Sequence, residues 1–91
     1  MHLQIITPEK IIFNANVDAV TVPGVSGEFQ MLQNHAPIVS LLTKGDVMIR
    51  LNEKDVNSHL IPHKNKKGVY VYRIKSGTVE QRDNKIILLA D

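Results

Sequence analysis

The chain predicts an all-β fold, specifically an antiparallel two-sheet β-sandwich of roughly eight to ten short strands. Three observations carry that expectation. Val and Ile number ten each, against eight Leu and four Ala, so β-branched residues outnumber the apolar helix formers. Short apolar segments recur along the chain, separated by Gly, Pro, Asn and Asp. No segment offers a helical period beyond about two turns.

Each element follows in order. Leu3 and Ile5 begin a first strand that breaks at Thr7-Pro8. Lys10 to Phe13 forms a second, which the polar run Asn14 to Asn16 ends, and Val17 to Val22 forms a third. Gly27 to Leu32 is a short fourth strand, with Phe29 and Met31 on one face and Gln30 and Leu32 on the other. Phe29 and Met31 suit either core or interface, with core favoured. Ile38, Leu41 and Leu42 also fit a helical period, but Pro37 and Gly45 leave room for only about seven residues, so this segment reads as a strand. Val47, Ile49 and Leu51 alternate with Asp46, Met48 and Arg50, the pattern of a half-buried strand.

Asn52 to Gly68 is polar and rich in turn formers, with Val56 and Leu60-Ile61 as short pairing segments. In Val69 to Lys75, Tyr70, Tyr72 and Ile74 share one face, and Arg73 and Lys75 leave the other for solvent. Ser76-Gly77 turns the chain into Thr78 to Arg82. Asp83-Asn84 then makes a two-residue hairpin loop that tolerates positive φ, leading into Lys85 to Ala90. The unbroken run Ile86-Ile87-Leu88-Leu89 predicts a strand buried on both faces.

Ninety-one residues make a single domain, 1–91, with one core. No apolar run approaches the ~20 residues that span a bilayer, and Met1-His2-Leu3-Gln4 lacks a secretory leader pattern. With no cysteine there is neither a disulfide framework nor a thiolate metal site. A soluble, intracellular protein without a cofactor is expected. The net charge of +2 is uneven: residues 1–45 carry two Lys against three acidic groups, and residues 46–91 carry nine Lys or Arg against six. The excess peaks at Lys64, Lys66 and Lys67, which read as a solvated hairpin tip. A nucleic-acid patch there would need arginines and stacking aromatics, and that loop has neither. His59 and His63 are four apart, a metal-pair spacing only on a helix, and Pro62 argues against a helix there. No nucleophile elbow, Walker-type loop or placed acid–base pair is present, so catalysis is not expected.

The densest turn chemistry lies between Pro23 and Gly45. Pro23-Gly24, Gly27-Glu28, Asn34-His35-Ala36-Pro37 and Lys44-Gly45 each place a residue that fixes or frees the backbone. This predicts a surface loop held in a set shape on a rigid sheet, the usual setting of a binding site.

The residues T-P-E-K near the start, G-E-F-Q-M-L-Q-N-H-A-P-I-V across 27–39, K-G-D-V-M-I at 44–49 and I-I-L-L-A-D at the end resemble the epsilon subunit of F-type ATP synthase. The resemblance is to its N-terminal β-sandwich domain and covers nearly all of residues 2–91. Family members commonly carry Gly-Gly where this chain has Ser76-Gly77, and Asn52 to Gly68 is longer than the usual hairpin. Many members also continue past the position of Asp91 into a two-helix domain that restrains ATP hydrolysis, so the resemblance implies a short form without that brake.

The resemblance implies a mechanical role. The domain would sit at the foot of the central stalk, one sheet face on the gamma subunit and one edge on the polar loops of the membrane c-ring, at the cytoplasmic face of a bacterial energy-transducing membrane. It would rotate with both. Glu28, on the turn Gly27-Glu28, is implied to meet a basic group of the ring by a charge-assisted hydrogen bond; the plain alternative is a solvated carboxylate. His35, with Asn34, Ala36 and Pro37, is implied to lie near gamma and the ring; the alternative is a His that only holds its own turn. Two other classes stay open: a small β-barrel binding RNA or single-stranded DNA, and a biotinyl-lipoyl type carrier, for which Lys44 and Lys85 lack the expected flanks.

Overall fold

The computed structural model describes residues 1–91 and contains ten strands: β1 (His2–Ile6), β2 (Ile11–Asn16), β3 (Ala19–Gly24), β4 (Gly27–Leu32), β5 (Ile38–Leu42), β6 (Gly45–Arg50), β7 (Ile61–Pro62), β8 (Val69–Ile74), β9 (Gly77–Arg82) and β10 (Lys85–Ala90). The only helical element is a single 3₁₀ turn, Glu53–Asp55, whose Asn52 carboxamide accepts from the Lys54 amide.

The strands form one curled sheet in the order β2-β1-β10-β9-β5-β3-β6-β8-β7, with β4 on the other side of β3. Two five-strand arms, β2-β1-β10-β9-β5 and β4-β3-β6-β8-β7, meet at β3 and β5 through the single pair Gly24↔Leu42. The sheet is mixed, which corrects the expectation of a purely antiparallel fold. β1 runs parallel to β10, His2 opposite Lys85 through Ile6 opposite Leu89. Hairpins force antiparallel neighbours only where a short turn joins two strands. β1 and β10 are the first and last strands, so no turn constrains their direction.

One core fills the curl. Leu3, Ile5, Val20, Val22, Met31, Val47, Ile49 and Leu88 are fully buried, drawn from both arms. The alternation expected in β6 holds, with Val47 and Ile49 inside. Met31 is core, as favoured, and Phe29 packs half-buried against it.

Four local expectations differ from the structure. β10 is not buried on both faces: Ile86 and Leu88 point inward, but Ile87 and Leu89 stay exposed because nothing in the chain covers the outside of that arm. β2 does not end at Asn14. It continues to Asn16 because His2 and Gln4 of β1 supply ladder partners, and the His2 ring sits between the Asn14 and Asn16 carboxamides. Tertiary pairing here overrides the poor strand propensity of Asn. β3 starts at Ala19, since Val17 and Asp18 are used to join Met1 and Arg50 through backbone bonds. On the outward face of β8, Arg73 and Lys75 are exposed as expected, but Val69 is buried, and its backbone bonds to His63 and Lys66 of the adjoining turn.

Gln81 breaks the apolar core. It points inward from β9 with 1% exposure, and neither its Nε2 nor its Oε1 meets a protein partner. A buried amide left unpaired costs about 1–3 kcal/mol. Gln81→Met, which keeps length and removes both polar atoms, is expected to stabilise the domain by about 1–2 kcal/mol. Thermal denaturation would show this as a midpoint several degrees higher.

Candidate functional site

The stretch from Pro23 to Gly45 is not one loop. It is a sequence of strands with two tight turns, and these lie at opposite ends of the edge strand β4. The first is the β3–β4 hairpin, closed by the pair Gly24↔Gly27. Gly27 has φ +127°, a conformation that side chains rarely adopt. A Cβ on Gly24 would lie 2.7 Å from the Gly27 carbonyl oxygen and 3.0 Å from the Phe29 ring, so both glycines are demanded by the turn. The Val25 amide donates to the Leu41 carbonyl (3.0 Å) and the Thr43 amide to the Pro23 carbonyl (2.8 Å), pinning the hairpin to the β5 end. Glu28 follows this rigid turn, exposed and without a cation of its own chain.

The second turn, Gln33 to Pro37, is held by a contact across fifty residues. Asn34 has φ +64°, and Asp83 and Asn84 have φ +50° and +61°, as expected for the hairpin loop. The Asn34 amide donates to Asn84 Oδ1 (2.6 Å), and Asn84 Nδ2 donates back to Asn34 Oδ1 (3.0 Å). The Asn84 carbonyl also receives the His2 amide at 2.9 Å, and the Met1 ammonium donates to Gln33 Oε1 at 2.9 Å. The two left-handed turns and the first residues thus form one lock. The sequence hints at it only through two Asn residues in turn positions.

Within that turn the His35 amide donates to the Leu32 carbonyl, and His35 Nδ1 lies 2.7 Å from the Ala36 carbonyl oxygen. A carbonyl only accepts, so Nδ1 carries the proton. Nδ1 therefore holds the turn, while Nε2 has no partner in the chain. Glu28 and the His35 turn are not brought together: β4 from Glu28 to Leu32 alone spans roughly 14 Å at about 3.4 Å per residue. Gly27 and Glu28 stand at one end and Asn34, His35, Ala36 and Pro37 at the other.

A third feature is assembled from five strands and lies within no single sequence segment. Side chains directly across a ladder share a face, and register places Leu41, Thr78, Leu89, Ile6 and Ile11 in one row across the outside of the β2-β1-β10-β9-β5 arm. Val39 and Ile87 lie in the next row with Glu80 and Gln4. Leu41 is 62% exposed, Val39 73%, Ile11 53% and Leu89 49%. The third row, at the end nearest the Asn34–Asn84 lock, holds Arg82, Lys85, His2 and Asn16. The face is roughly 19 Å wide (four strand spacings), and it grades from apolar to basic along the strands, over roughly 14 Å (four residues). The signal was the missing alternation of Ile86 to Leu89, whose second apolar face is this one.

The basic segment is a structured turn. His63 Nδ1 accepts the amides of Asn65 (3.0 Å) and Lys66 (3.1 Å), so that nitrogen serves the turn. Lys64 borders a surface concavity of about 560 Å³ with Ile61, His63 and Arg73. There Arg73 Nε donates to Asp46 Oδ1 at 2.8 Å; this hydrogen bond, ahead of the plain charge attraction, holds the Asp46 carboxyl below the usual carboxylate range. No aromatic side chain stands fully exposed. Phe13 is buried, and Phe29, Tyr70 and Tyr72 pack against the core. The nucleic-acid alternative loses its platform.

Comparison with known proteins matches residues 1–91 to the family described as "ATP synthase, Delta/Epsilon chain, beta-sandwich domain". The ATP synthase epsilon chain of Leptospira interrogans serogroup Icterohaemorrhagiae is 36% identical over 91 residues, covering all of this chain and 61% of that protein. That of Chlorobium limicola is 34% identical over 89 residues, covering 98% of this chain and 86% of the relative. The chain thus spans about three-fifths of the Leptospira relative and most of the Chlorobium one. Among solved structures, a chain of the Euglena gracilis mitochondrial ATP synthase (OSCP/F1/c-ring) has a TM-score of 0.73 at 19% identity, covering 97% of this chain and 48% of its own. One from the central stalk and c-ring of the Tetrahymena thermophila enzyme has a TM-score of 0.71 at 18% identity, covering 99% of this chain and 62% of its own. These two share the fold. With the family matched from the first residue to the last, the chain belongs to the β-sandwich domain family of ATP synthase delta and epsilon chains.

Proposed function

We propose that this chain is a non-catalytic rotor subunit of F-type ATP synthase, joining the gamma subunit to the c-ring so that ion-driven rotation is coupled to ATP synthesis. The observation that carries the reading is the apolar row Leu41, Leu89, Ile6 and Ile11 on the outside of one arm, uncovered by any part of the chain. Such a face suits permanent burial against a partner, and gamma is the partner assigned to it. Residues 1–91 act as one unit, and the two arms work as the two layers of a sandwich over a shared core. A close-packed interior resists shear, as torque transfer requires. The subunit sits peripherally, on the cytoplasmic face of the energy-transducing membrane.

Gly27 and Glu28 at one end of β4, and Asn34, His35, Ala36 and Pro37 at the other, are assigned to the ring's polar loops. Glu28 is offered on a turn that cannot readily move, so its role is chiefly register, with a pair that stays wet contributing only about 0–1 kcal/mol. Charge reversal also adds repulsion toward a basic partner. Glu28→Lys is therefore expected to weaken ring attachment about tenfold and to lower proton-coupled synthesis in reconstituted membranes. The isolated domain should keep its unfolding midpoint, since Glu28 is exposed. Unchanged coupling would remove Glu28 from the contact. Copurification with gamma and the ring, insensitive to nuclease, tests the reading as a whole.

A further inference from the structure

We propose that the free edge of β4 binds the ring's polar loops through its main chain, so that the contact is a continuous backbone seam from Glu28 to Leu32 rather than two separate turns. This rests on the stalk reading above.

Three strands end the sheet or branch from it: β2, β7 and β4. Unpaired edges invite association, and proteins normally blunt them with proline, lysine, bulges, shortness or a covering group. β2 is bulged against β1 at Ile5/Ile6, and the Asn57 carboxamide covers it by donating to the Ile12 carbonyl (2.9 Å). β7 has two residues, one of them Pro62. β4 has none of these devices. It runs six residues in unbroken register with β3 and contains no proline or lysine.

The direction of its backbone groups follows from the ladder. In an antiparallel pair, alternate residues turn their N–H and C=O toward the partner strand or away from it. The two-residue hairpin makes Gly24↔Gly27 a hydrogen-bonded pair, so Val22↔Phe29 and Val20↔Met31 are bonded as well. The intervening pairs, Pro23↔Glu28, Thr21↔Gln30 and Ala19↔Leu32, point outward. Two independent bonds agree: the Pro23 carbonyl accepts from Thr43, and the Leu32 carbonyl from His35, neither across the β3–β4 ladder. The N–H groups of Glu28, Gln30 and Leu32 and the carbonyls of Glu28 and Gln30 therefore face away from β3.

The same three residues carry the exposed side chains, while Phe29 and Met31 face inward. An occupant of this edge meets alternating donors and acceptors, a carboxylate at one end and the uncommitted Nε2 of His35 beyond the other. A polar polypeptide loop bearing a basic residue matches that order. Peptide addition to a sheet edge draws its affinity from main-chain bonds and its register from the side chains.

Gln30→Pro removes one outward N–H at an edge position that tolerates proline and leaves the bonds to β3 in place. Gln30→Ala removes the side chain and keeps the N–H. With purified c-ring, Gln30→Pro is expected to bind at least tenfold more weakly than Gln30→Ala, which stays near wild type. Equal binding by folded Gln30→Pro and Gln30→Ala overturns the proposal. Should the proline unfold the strand, hydrogen exchange on the wild-type chain decides instead. The amides of Glu28, Gln30 and Leu32 should exchange fast when free and slow down on the ring. Slowing limited to Gly27 and to residues 34–36 overturns the seam. Failure of the wild-type chain to bind the ring at all overturns the stalk reading, not the edge geometry alone.

Discussion

Replacing Leu41 and Leu89 together by Glu is expected to abolish capture of the gamma subunit, raising the dissociation constant by at least a hundredfold. Both side chains are about half exposed or more in the isolated chain, at 62% and 49%. Covering the remainder of a leucine contributes roughly 1–1.5 kcal/mol, half of its full burial value. A carboxylate set against an apolar partner adds the cost of desolvating a charge with no counter-ion. Two such changes reach about 3–5 kcal/mol, and every 1.4 kcal/mol is tenfold. The fold should be indifferent, because both positions point away from the core. Ile61→Glu is the control: its side chain is 67% exposed, but on β7 of the other arm, so gamma capture should persist. Retained capture by the double variant, measured by surface-immobilised binding, would remove this face from the interface.

Phe13→Ala should produce the largest loss of stability of any single truncation. Phe13 is 2% exposed, the bulkiest of the fully buried side chains, and sits on β2 opposite Ile5. Deleting a buried phenyl ring costs about 3–5 kcal/mol in transfer and cavity terms. A domain of this length holds only about 5–14 kcal/mol in total. The variant should therefore keep little margin, with a thermal midpoint lowered by roughly 12–40 °C at about 4–8 °C per kcal/mol. Phe29→Ala provides the contrast. Its ring is half-buried at the periphery of the core, and less than half of that loss is expected. Urea denaturation of the two variants measures the difference; equal losses would mean that Phe13 is not the centre of the packing.

Much of the fold was legible because its signals are local. Val47, Ile49 and Leu51 alternate, Asp83-Asn84 matches a two-residue hairpin, and Gly24 to Gly27 and Asn34 to Pro37 turn the chain where their residue types suggest. What was not legible depends on which strands become neighbours. Nothing near Leu3 or Leu88 indicates that β1 and β10 lie side by side and parallel. Asn14 and Asn16 look like a strand terminator until His2 and Gln4 pair with them. The candidate site divides in the same way. Glu28 and His35 were visible as residues on turns, but their placement at opposite ends of β4 is a property of the strand between them. The apolar row draws one or two residues from each of several strands, so no sequence window contains it. The Asn34–Asn84 lock joins positions fifty residues apart through paired left-handed turns.

The position of β10 has a consequence for synthesis. Residues 85–90 lie between β1 and β9, so the first strand to leave the ribosome must wait for residues near position 90 before its inner edge is filled. Until then β1 and β2 form an isolated hairpin, which is marginal in water. Contacts this distant in sequence form slowly and leave strand edges open to wrong partners in the meantime. Nascent chains stalled before Lys85 should accordingly depend on chaperones and be cleared by proteases. Chains whose residues 85–90 have cleared the exit tunnel should close.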